Sequence, residues 1–496
     1  MYPKLTRDGN GGVFVAWQDV RSGNNRDIYA QSIDSSGNIR WQRNGVPVVT
    51  ASGSQSDVQL VHDGVGGAIL AWTDNRGADS ETYVQRISAD GQPVWSFNGI
   101  KAADGGALFI SVVPNDAGGV LLAWNSLDGV NDDVAVQQID SSGMRMWGDS
   151  GIQVTGRPAH VYPDDVMVMS DGRRGAIVLW GEGDRVYAQH VDSTGQILWP
   201  LNGVLLSDST ASCYGVAGSS DGGGGAIVSW HNIGKGTVAQ RIDSSGNILW
   251  ESGGVLLGNS SSGGAQRNIS DGMGGAFIGH GIFVQHVNSN GEKLWEPTGV
   301  RFTNLPIPGN GSVQVKAPGG GMWNFWTGYP SVTQTYGQWI DGFGVVRWGL
   351  EGLPITAIES ALPSATDNGN GSAFVCWEQY ANGYTSVYLA KVDTSGVTSI
   401  DEVPDSGIPI DPILYQNYPN PFNPTTTINY FVPYRSFVSI KLYDILGREM
   451  RTIVAETMEQ GNHRVDLSLE AYASGTYFYR MISGSFTAAK CMVLVR

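Results

Sequence analysis

Two short constellations in this sequence could grip a ligand: Asp19 with Arg21, and Asp74 with Arg76, each following a Trp that ends a β-patterned run. An arginine fork can hold a carboxylated or sugar ligand through paired, charge-assisted hydrogen bonds. The blander reading, a local ion pair trimming a loop, is the default. His190 and His286 stand just after a repeated Gln, where Arg86 and Arg241 stand elsewhere, so they read as surface positions and not as metal ligands; no H-E-x-x-H motif is present. Asp-Gly turns recur, but none has the alternating D-x-D-x-D-G spacing of a calcium loop. No cofactor is therefore expected, with calcium kept as the weaker alternative. Cys213, Cys376 and Cys491 are too scattered for a disulfide framework or a C-x-x-C metal pair, and packing is their expected role. Glycoside hydrolysis needs two carboxylates at a set separation, which dispersed acids cannot display. No catalytic, cofactor or metal residue is assigned.

The elements that would position these groups are repeats. The segment Ile242 to Trp250, I-D-S-S-G-N-I-L-W, returns in copies that close on Trp41, Trp95, Trp147, Trp199, Trp250, Trp295 and Trp348. Each tryptophan lies ten residues after a glutamine: Gln31, Gln85, Gln137, Gln189, Gln240, Gln285 and Gln338. Insertions are evidently not tolerated there. Upstream of each Gln lies a D-G-x-G-G-like turn and an apolar run ending in Trp, as in Gly67 to Trp72, giving eight repeats of about fifty residues. In the second repeat the pattern predicts four strands: Val58 to His62, Ala68 to Trp72, Thr82 to Ile87 and Gln92 to Trp95. Four-stranded units at this period predict β-propeller blades, and no 3.6-residue periodicity supports a helical solenoid.

Fixed and variable lengths assign the two faces of the disc. The first-to-second and third-to-fourth turns share one face and barely change. Between second-strand Trp and Gln the spacing runs from fourteen residues (Trp17 to Gln31) to five (His280 to Gln285). Loops that vary on a rigid scaffold usually carry binding, so this second face, with Asp19, Arg21, Asp74 and Arg76, is the expected ligand face. The Gln side chains are expected to satisfy backbone groups between blades. The eighth repeat departs from the pattern, with Lys391 at the Gln position and Asp401 where Trp should fall, and no convincing fourth strand. Eight blades are expected, or seven if this repeat forms none.

A chain of 496 residues with 69 glycines and 16 tryptophans fits many short strands joined by tight turns. Net charge is −16 with no Lys/Arg cluster, which argues against nucleic acid and anionic membranes as partners. No apolar run is long enough for a transmembrane segment. Met1 to Arg7 shows neither the basic start nor the apolar core of a secretory signal, so the sequence reads as a mature chain or a truncated reading frame.

After a linker over 401–411, residues 412–496 change character. Alternating strands such as Ser439 to Tyr443 and Thr476 to Met481, with turns at Asp444 to Glu449 and Ala473 to Tyr477, predict a small Ig-like β-sandwich. Tyr418, Pro419, Asn420, Pro421, Phe422, Asn423 and Pro424, the Tyr443-to-Gly447 turn, Ser474-Gly475-Thr476-Tyr477 and the ending Lys490 to Arg496 resemble the type A C-terminal sorting domain of the type IX (Por) secretion system. That resemblance implies a Gram-negative bacterium, recognition of this domain by the secretion machinery, and a protein secreted or held at the outer-membrane surface. The Asp-x-x-Gly-x-x-x-Trp unit also resembles the tryptophan-docking motif of quinoprotein propellers, which implies an inter-blade girdle and no catalysis. The sialidase Asp-box, with Gly two and an aromatic five residues after Asp, is a near miss.

The expected architecture is an all-β, eight-bladed (alternatively seven-bladed) β-propeller over 1–400, the linker, and the sandwich. The expected function is an exported binding module for extracellular glycan or protein; the alternative is a propeller enzyme, hydrolase or lyase, acting on polysaccharide.

Overall fold

The structure is a computed structural model. It describes residues 2–21, 25–104, 106–115, 117–127, 132–155, 166–208, 212–258, 267–295, 297–305, 312–328, 333–356, 360–381, 384–403, 412–432, 435–459, 461–484 and 486–495.

Short runs of β-branched and aromatic residues alternate with Gly-rich turns, and each run becomes a strand. In the first repeat these are β1 (Lys4–Arg7), β2 (Val13–Asp19), β3 (Asp27–Ile33) and β4 (Val46–Val49), a four-stranded antiparallel sheet in sequence order. Among the described residues seven more sheets repeat this order, over 55–101, 106–153, 167–205, 213–258, 267–301, 312–354 and 360–403. We number them sheets 1 to 8. The first strand of each packs beside the first strand of the next, and Lys4–Arg7 lies against Ser360–Asp367 of sheet 8, so the series closes into a ring with first strands innermost.

No single core holds this ring. Eight separate apolar clusters each fill the gap between two neighbouring sheets. The cluster joining sheet 8 to sheet 1 contains Leu5, Val15, Trp17, Phe374, Cys376 and Leu389. The second strands are buried on both faces, which is why 13–17 and 68–72 read as continuous apolar runs and not as alternation.

Two expectations are corrected. The fourth strand of sheet 2 is Ile100–Lys101, not Gln92 to Trp95; the latter segment only touches its third strand through the single bridge Ile87↔Pro93. The same holds around the ring, as in Ile33↔Ile39 and Ile242↔Ile248. A two-residue strand is too short to leave a periodic signal, while the hairpin before it mimics one. Sheet 8 is complete, because Gly396–Val403 pairs along Tyr384–Asp393 as its fourth strand. The first three residues of the expected linker therefore continue a strand, and 404–411 lie outside the described residues.

Beyond the ring, two antiparallel sheets share one core. One contains Ile413–Leu414, Thr425–Val432 and Gly461–Ser468; the other contains Ser436–Tyr443, Glu449–Met458, Gly475–Ser483 and Phe486–Leu494. Ile428, Tyr430, Ile440, Leu442, Tyr479 and Met492 fill the space between them.

Candidate functional site

The constant ten-residue offset has a physical cause. In sheet 1 the side-chain carbonyl of Gln31 accepts the N–H of Ser32 at 2.9 Å and of Trp41 at 3.1 Å, while its amide donates to the carbonyl of Gln42 at 2.8 Å. One buried amide thus clamps both ends of the connection between third and fourth strands. Gln85, Gln137, Gln189, Gln240 and Gln338 repeat the clamp. Its bonds lie mainly within a sheet, which corrects the expected role between blades. Any insertion would leave buried polar atoms without partners, at about 1–3 kcal/mol each.

The clamped tryptophans reach into the following sheet. Trp41 donates its indole N–H to the carbonyl of Ala89 at 2.8 Å, Trp95 to Ser141 at 3.2 Å, Trp147 to Ser193 at 3.4 Å, Trp199 to Ser244 at 3.1 Å, Trp250 to Ser289 at 3.1 Å, and Trp348 to Thr394 at 3.4 Å. The turn glycine of the following sheet lies against the same ring: a Cβ added at Gly195 would stand 2.9 Å from Trp147, and one at Gly344 would stand 2.9 Å from Trp295. These glycines serve a positive φ and a close approach at once.

The histidines after Gln189 and Gln285 are not surface groups. His190 and His286 are buried, and each meets a turn aspartate, Asp171 or Asp271, at 3.0 Å. Arg86 with Asp63 and Arg241 with Asp221 are the equivalent pairs in sheets 2 and 5, at 2.9 Å each. Burial pushes the Asp171 carboxyl up, but the His190 ring and the N–H groups of Arg173 and Gly175 outweigh it and leave the carboxyl below the usual range. From this position Arg86 also donates to the carbonyl of Ser141, and Arg241 to that of Ser289, both in the next sheet.

Strand register places Lys391 in this series and not in the Gln series. Tyr388 pairs with Trp377 as Tyr29 pairs with Trp17, which puts Ala390 at the Gln position and Lys391 one step later. The Lys391 ammonium donates at 2.8 Å to the carbonyl of Ser35, closing the ring onto sheet 1 where no indole is available.

Asp19, Arg21, Asp74 and Arg76 form two closed units. Arg21 and Asp19 make a two-pronged ion pair, with the Arg21 Nε 2.7 Å from the carboxylate. Asp19 also accepts the Trp17 indole N–H at 3.1 Å; Arg21 donates to the carbonyl of Asn44 at 2.8 Å and lies 4.0 Å over the Tyr29 ring. In sheet 2, Arg76 contacts Asp74 at 2.6 and 2.9 Å, donates to Asn98 at 2.8 Å and lies 3.9 Å over Tyr83, while Trp72 donates to Asp74 at 2.7 Å. Only 4% of the Arg21 side chain and 22% of the Arg76 side chain is exposed. With their donors committed internally, the ion-pair reading is favoured over a ligand grip. Sequence reasoning missed the tyrosine platforms; Tyr at the same offset of twelve or eleven residues after Trp is the signal that could have shown them.

Both aspartate turns are built as carboxylates that accept backbone N–H groups two and four residues on, as Asp63 does from Val65 and Gly67 and Asp192 from Thr194 and Gln196. The Thr194 hydroxyl first, then these backbone donors, hold the Asp192 carboxyl below its usual range. Carboxylates engaged this way shape loops. Among the described residues no group of three or more His, Cys, Asp or Glu could hold a metal ion.

A cleft of about 710 Å³ opens where the first turns of sheets 8, 1 and 2 meet, on the face opposite the expected one. Arg7, Asn10, His62, Val65, Asn368 and Asn370 line it with the glycine backbone between them. Asp8 also borders it, but its carboxylate already accepts Asn10 and Gly12 N–H and pairs with Arg40 at 2.5 Å. The cleft offers amide, imidazole and guanidinium hydrogen bonding. The variable face lies partly outside the described residues.

In the C-terminal domain the Tyr418-to-Pro424 segment is tied to the last strand. Asn420 accepts the Val493 N–H at 2.8 Å and donates to Cys491; Phe422, buried, exchanges backbone bonds with Val493 and Val495 at 3.0 Å. Asn417 donates to Pro419 and Thr426, fixing the turn from within. Asn423 and Pro424 follow into the turn before Thr425–Val432, and the Pro424 carbonyl accepts the Leu469 N–H. Gly447 completes the Asp444 turn at φ 73°, and Gly475 opens its strand. Tyr415 packs on Phe97 of the ring, ring centres 5.3 Å apart, and Lys490 reaches Gln92 at 3.5 Å. Nothing in the repeat pattern singles out Phe97.

Residues 416–495 match the family described as the secretion system C-terminal sorting domain. No curated protein matches the chain. Among solved structures, a fungal alcohol oxidase of the AA5 family in complex with copper aligns at 11% identity over 100% of this chain and 97% of its own, with a TM-score of 0.40. Prolyl oligopeptidase B of Galerina marginata aligns at 11% identity and TM-score 0.43 over 87% of this chain and 55% of its own, so this chain spans about half of it. PorZ, a bacterial surface component of the type-IX secretion system of Porphyromonas gingivalis, aligns at 10% identity over 98% and 96% of the two chains, TM-score 0.20. Likenesses this distant carry no argument about activity. The C-terminal domain marks the protein for export by the type IX system, as a secreted or cell-surface protein. No helix among the described residues is long and apolar enough to cross a membrane.

Proposed function

We propose that the ring is an eight-bladed β-propeller that binds an extracellular glycan or protein without chemistry, delivered across the outer membrane of a Gram-negative bacterium by an Ig-like sorting domain. One observation carries this reading. The cleft at the mouth of the ring presents amides, His62 and Arg7, while Asp8 beside it is already held by Arg40 and two backbone donors. Such a lining recognises hydroxyl and carbonyl groups, and general acid–base work on a sugar needs two carboxylates free to act.

The test is a glycan array with the purified full chain, run beside incubation with the same polysaccharides. Binding without product, weakened by Asn10→Ala or Asn370→Ala, is expected. Release of reducing ends or unsaturated sugars would replace this reading with the polysaccharide hydrolase or lyase.

A further inference from the structure

Where the sorting domain meets the ring, an apolar contact and an open cleft stand side by side. The contact consists of Ile413, Tyr415 and Phe431 of the domain, all buried, packed against Phe97 of sheet 2. Beside it lies a cleft of about 440 Å³. Its ring wall is formed by residues 50–52 and 96–98, and its other wall includes Tyr418, Thr427, Asn429 and Arg464 of the domain. The volume falls within the roughly 300–1,000 Å³ typical of small-molecule sites.

Alternation along Thr425–Val432 decides which of the domain's side chains face outward. Ile428, Tyr430 and Val432 fill the domain's own core, so Thr427 and Asn429 lie on the opposite face of the strand. Across the ladder Arg464 pairs with Asn429 and Asp466 with Thr427. Arg464 bonds to Asp466 at 3.2 and 3.0 Å, and the Thr427 hydroxyl donates to Asp466 at 2.7 Å, so the charges on this wall neutralise each other in place. On the ring wall the Asn98 side-chain oxygen accepts the Thr50 N–H at 3.0 Å and its backbone carbonyl accepts Arg76 at 2.8 Å.

Two groups of the cleft are left open. Asn429 is only 5% exposed, yet among the described residues its side chain has no hydrogen-bond partner. An amide buried at a cleft wall in this way favours a hydrogen-bonding group from outside, since leaving it unmet costs about 1–3 kcal/mol. Tyr418 is 48% exposed and gives the same cleft a flat aromatic face.

We propose that this junction is a binding site for a short neutral saccharide held by the ring and the sorting domain together. A sugar ring has an apolar C–H face and hydroxyls around its edge. Its face packs on Tyr418, and its hydroxyls bond to the Asn429 amide and the Arg464–Asp466 pair. Because that pair is internally balanced, a charged ligand gains no ion pair in exchange for its lost hydration. Asp466 is engaged by Arg464 and Thr427, so the site binds and does not hydrolyse. A ligand seated there touches both bodies and favours their docked arrangement. This site is separate from the cleft at the mouth of the ring and does not rest on it.

The test is calorimetric titration of the full chain with maltotriose, cellotriose and chitotriose, repeated on Tyr418→Ala, Asn429→Ala and Asn370→Ala. At least one of the three sugars is expected to bind the wild type, about tenfold more weakly after Tyr418→Ala and about fivefold more weakly after Asn429→Ala. Added salt should leave the affinity unchanged, since no net charge is neutralised. Tyr418 lies outside the core, so its variant keeps the idea testable should Asn429→Ala fail to fold. Binding of none of the three sugars overturns the junction site, as does binding that neither junction variant weakens. Loss confined to Asn370→Ala places the sugar at the mouth of the ring, which overturns the junction site and leaves the proposed function standing. Loss confined to the junction variants keeps this site whatever the glycan array reports for the mouth.

Discussion

The ring and the C-terminal domain make the same local turn and use it differently. Asp192 in the ring and Asp444 in the tail each accept two backbone N–H groups across an Asp-x-x-Gly turn, with Gly195 at φ 88° and Gly447 at φ 73°. In the ring the turn is covered: Trp147 of the preceding sheet lies on Gly195 and donates to Ser193. In the tail it is bare, with nothing within 4 Å of a Cβ added to Gly447, and Ile445 and Leu446 are 70% and 73% exposed. Backbone chemistry fixes the turn in both places; what differs is whether a neighbour exists to cover it. The ring is stabilised between repeats, and the tail is stabilised by its own core.

That contrast can be broken or sharpened by experiment. Trp147→Ala should cost the ring about 3–5 kcal/mol in urea unfolding, because a buried indole is lost from the gap between sheets 3 and 4; a cost below about 1 kcal/mol would mean the indole only decorates the turn. Next comes acid. His280, buried at the position where seven repeats carry Trp, has its proton affinity lowered by burial, from 6.5 to about 4. The unfolded chain takes the proton first, so this group's stability is full above pH 6.5 and is lost as pH falls toward about 4, by about 3 kcal/mol. His280→Phe should flatten pH-dependent unfolding across that window; an unchanged slope would assign acid lability elsewhere.

Gly195→Ala should cost about 2–3 kcal/mol, from left-handed strain plus the 2.9 Å approach to Trp147, against about 1 kcal/mol of strain alone for Gly447→Ala. Equal losses would remove the distinction between covered and bare turns. The smallest effect is expected in the tail, where Leu446→Ser should leave its unfolding within about 0.5 kcal/mol of wild type.

Much of the ring was legible because its repeats obey physical constraints at constant spacing. The Gln31-to-Trp41 offset is visible as ten residues since one side chain must reach both ends. What escaped was either too short or too distant. Ile100–Lys101 leaves no alternation to detect, and Lys391 is misread by one position because only pairing with Phe374 fixes its register. His190 looks like a surface residue until Asp171, nineteen positions upstream, is seen to meet it.

The lysine join at Ser35 gives the ring a seam. Among the described residues six joints carry an indole N–H bond to the next sheet and at the sixth-to-seventh Trp295 lies on Gly344, whereas the last-to-first joint has no docked indole and relies on Lys391, the Arg7–Asp367 pair and the apolar cluster beneath them. A protein pulled or heated to its limit would thus unzip from a defined place, and a chain cut and religated to move its ends to another joint would carry that weak point in its interior, where covalent continuity guards it.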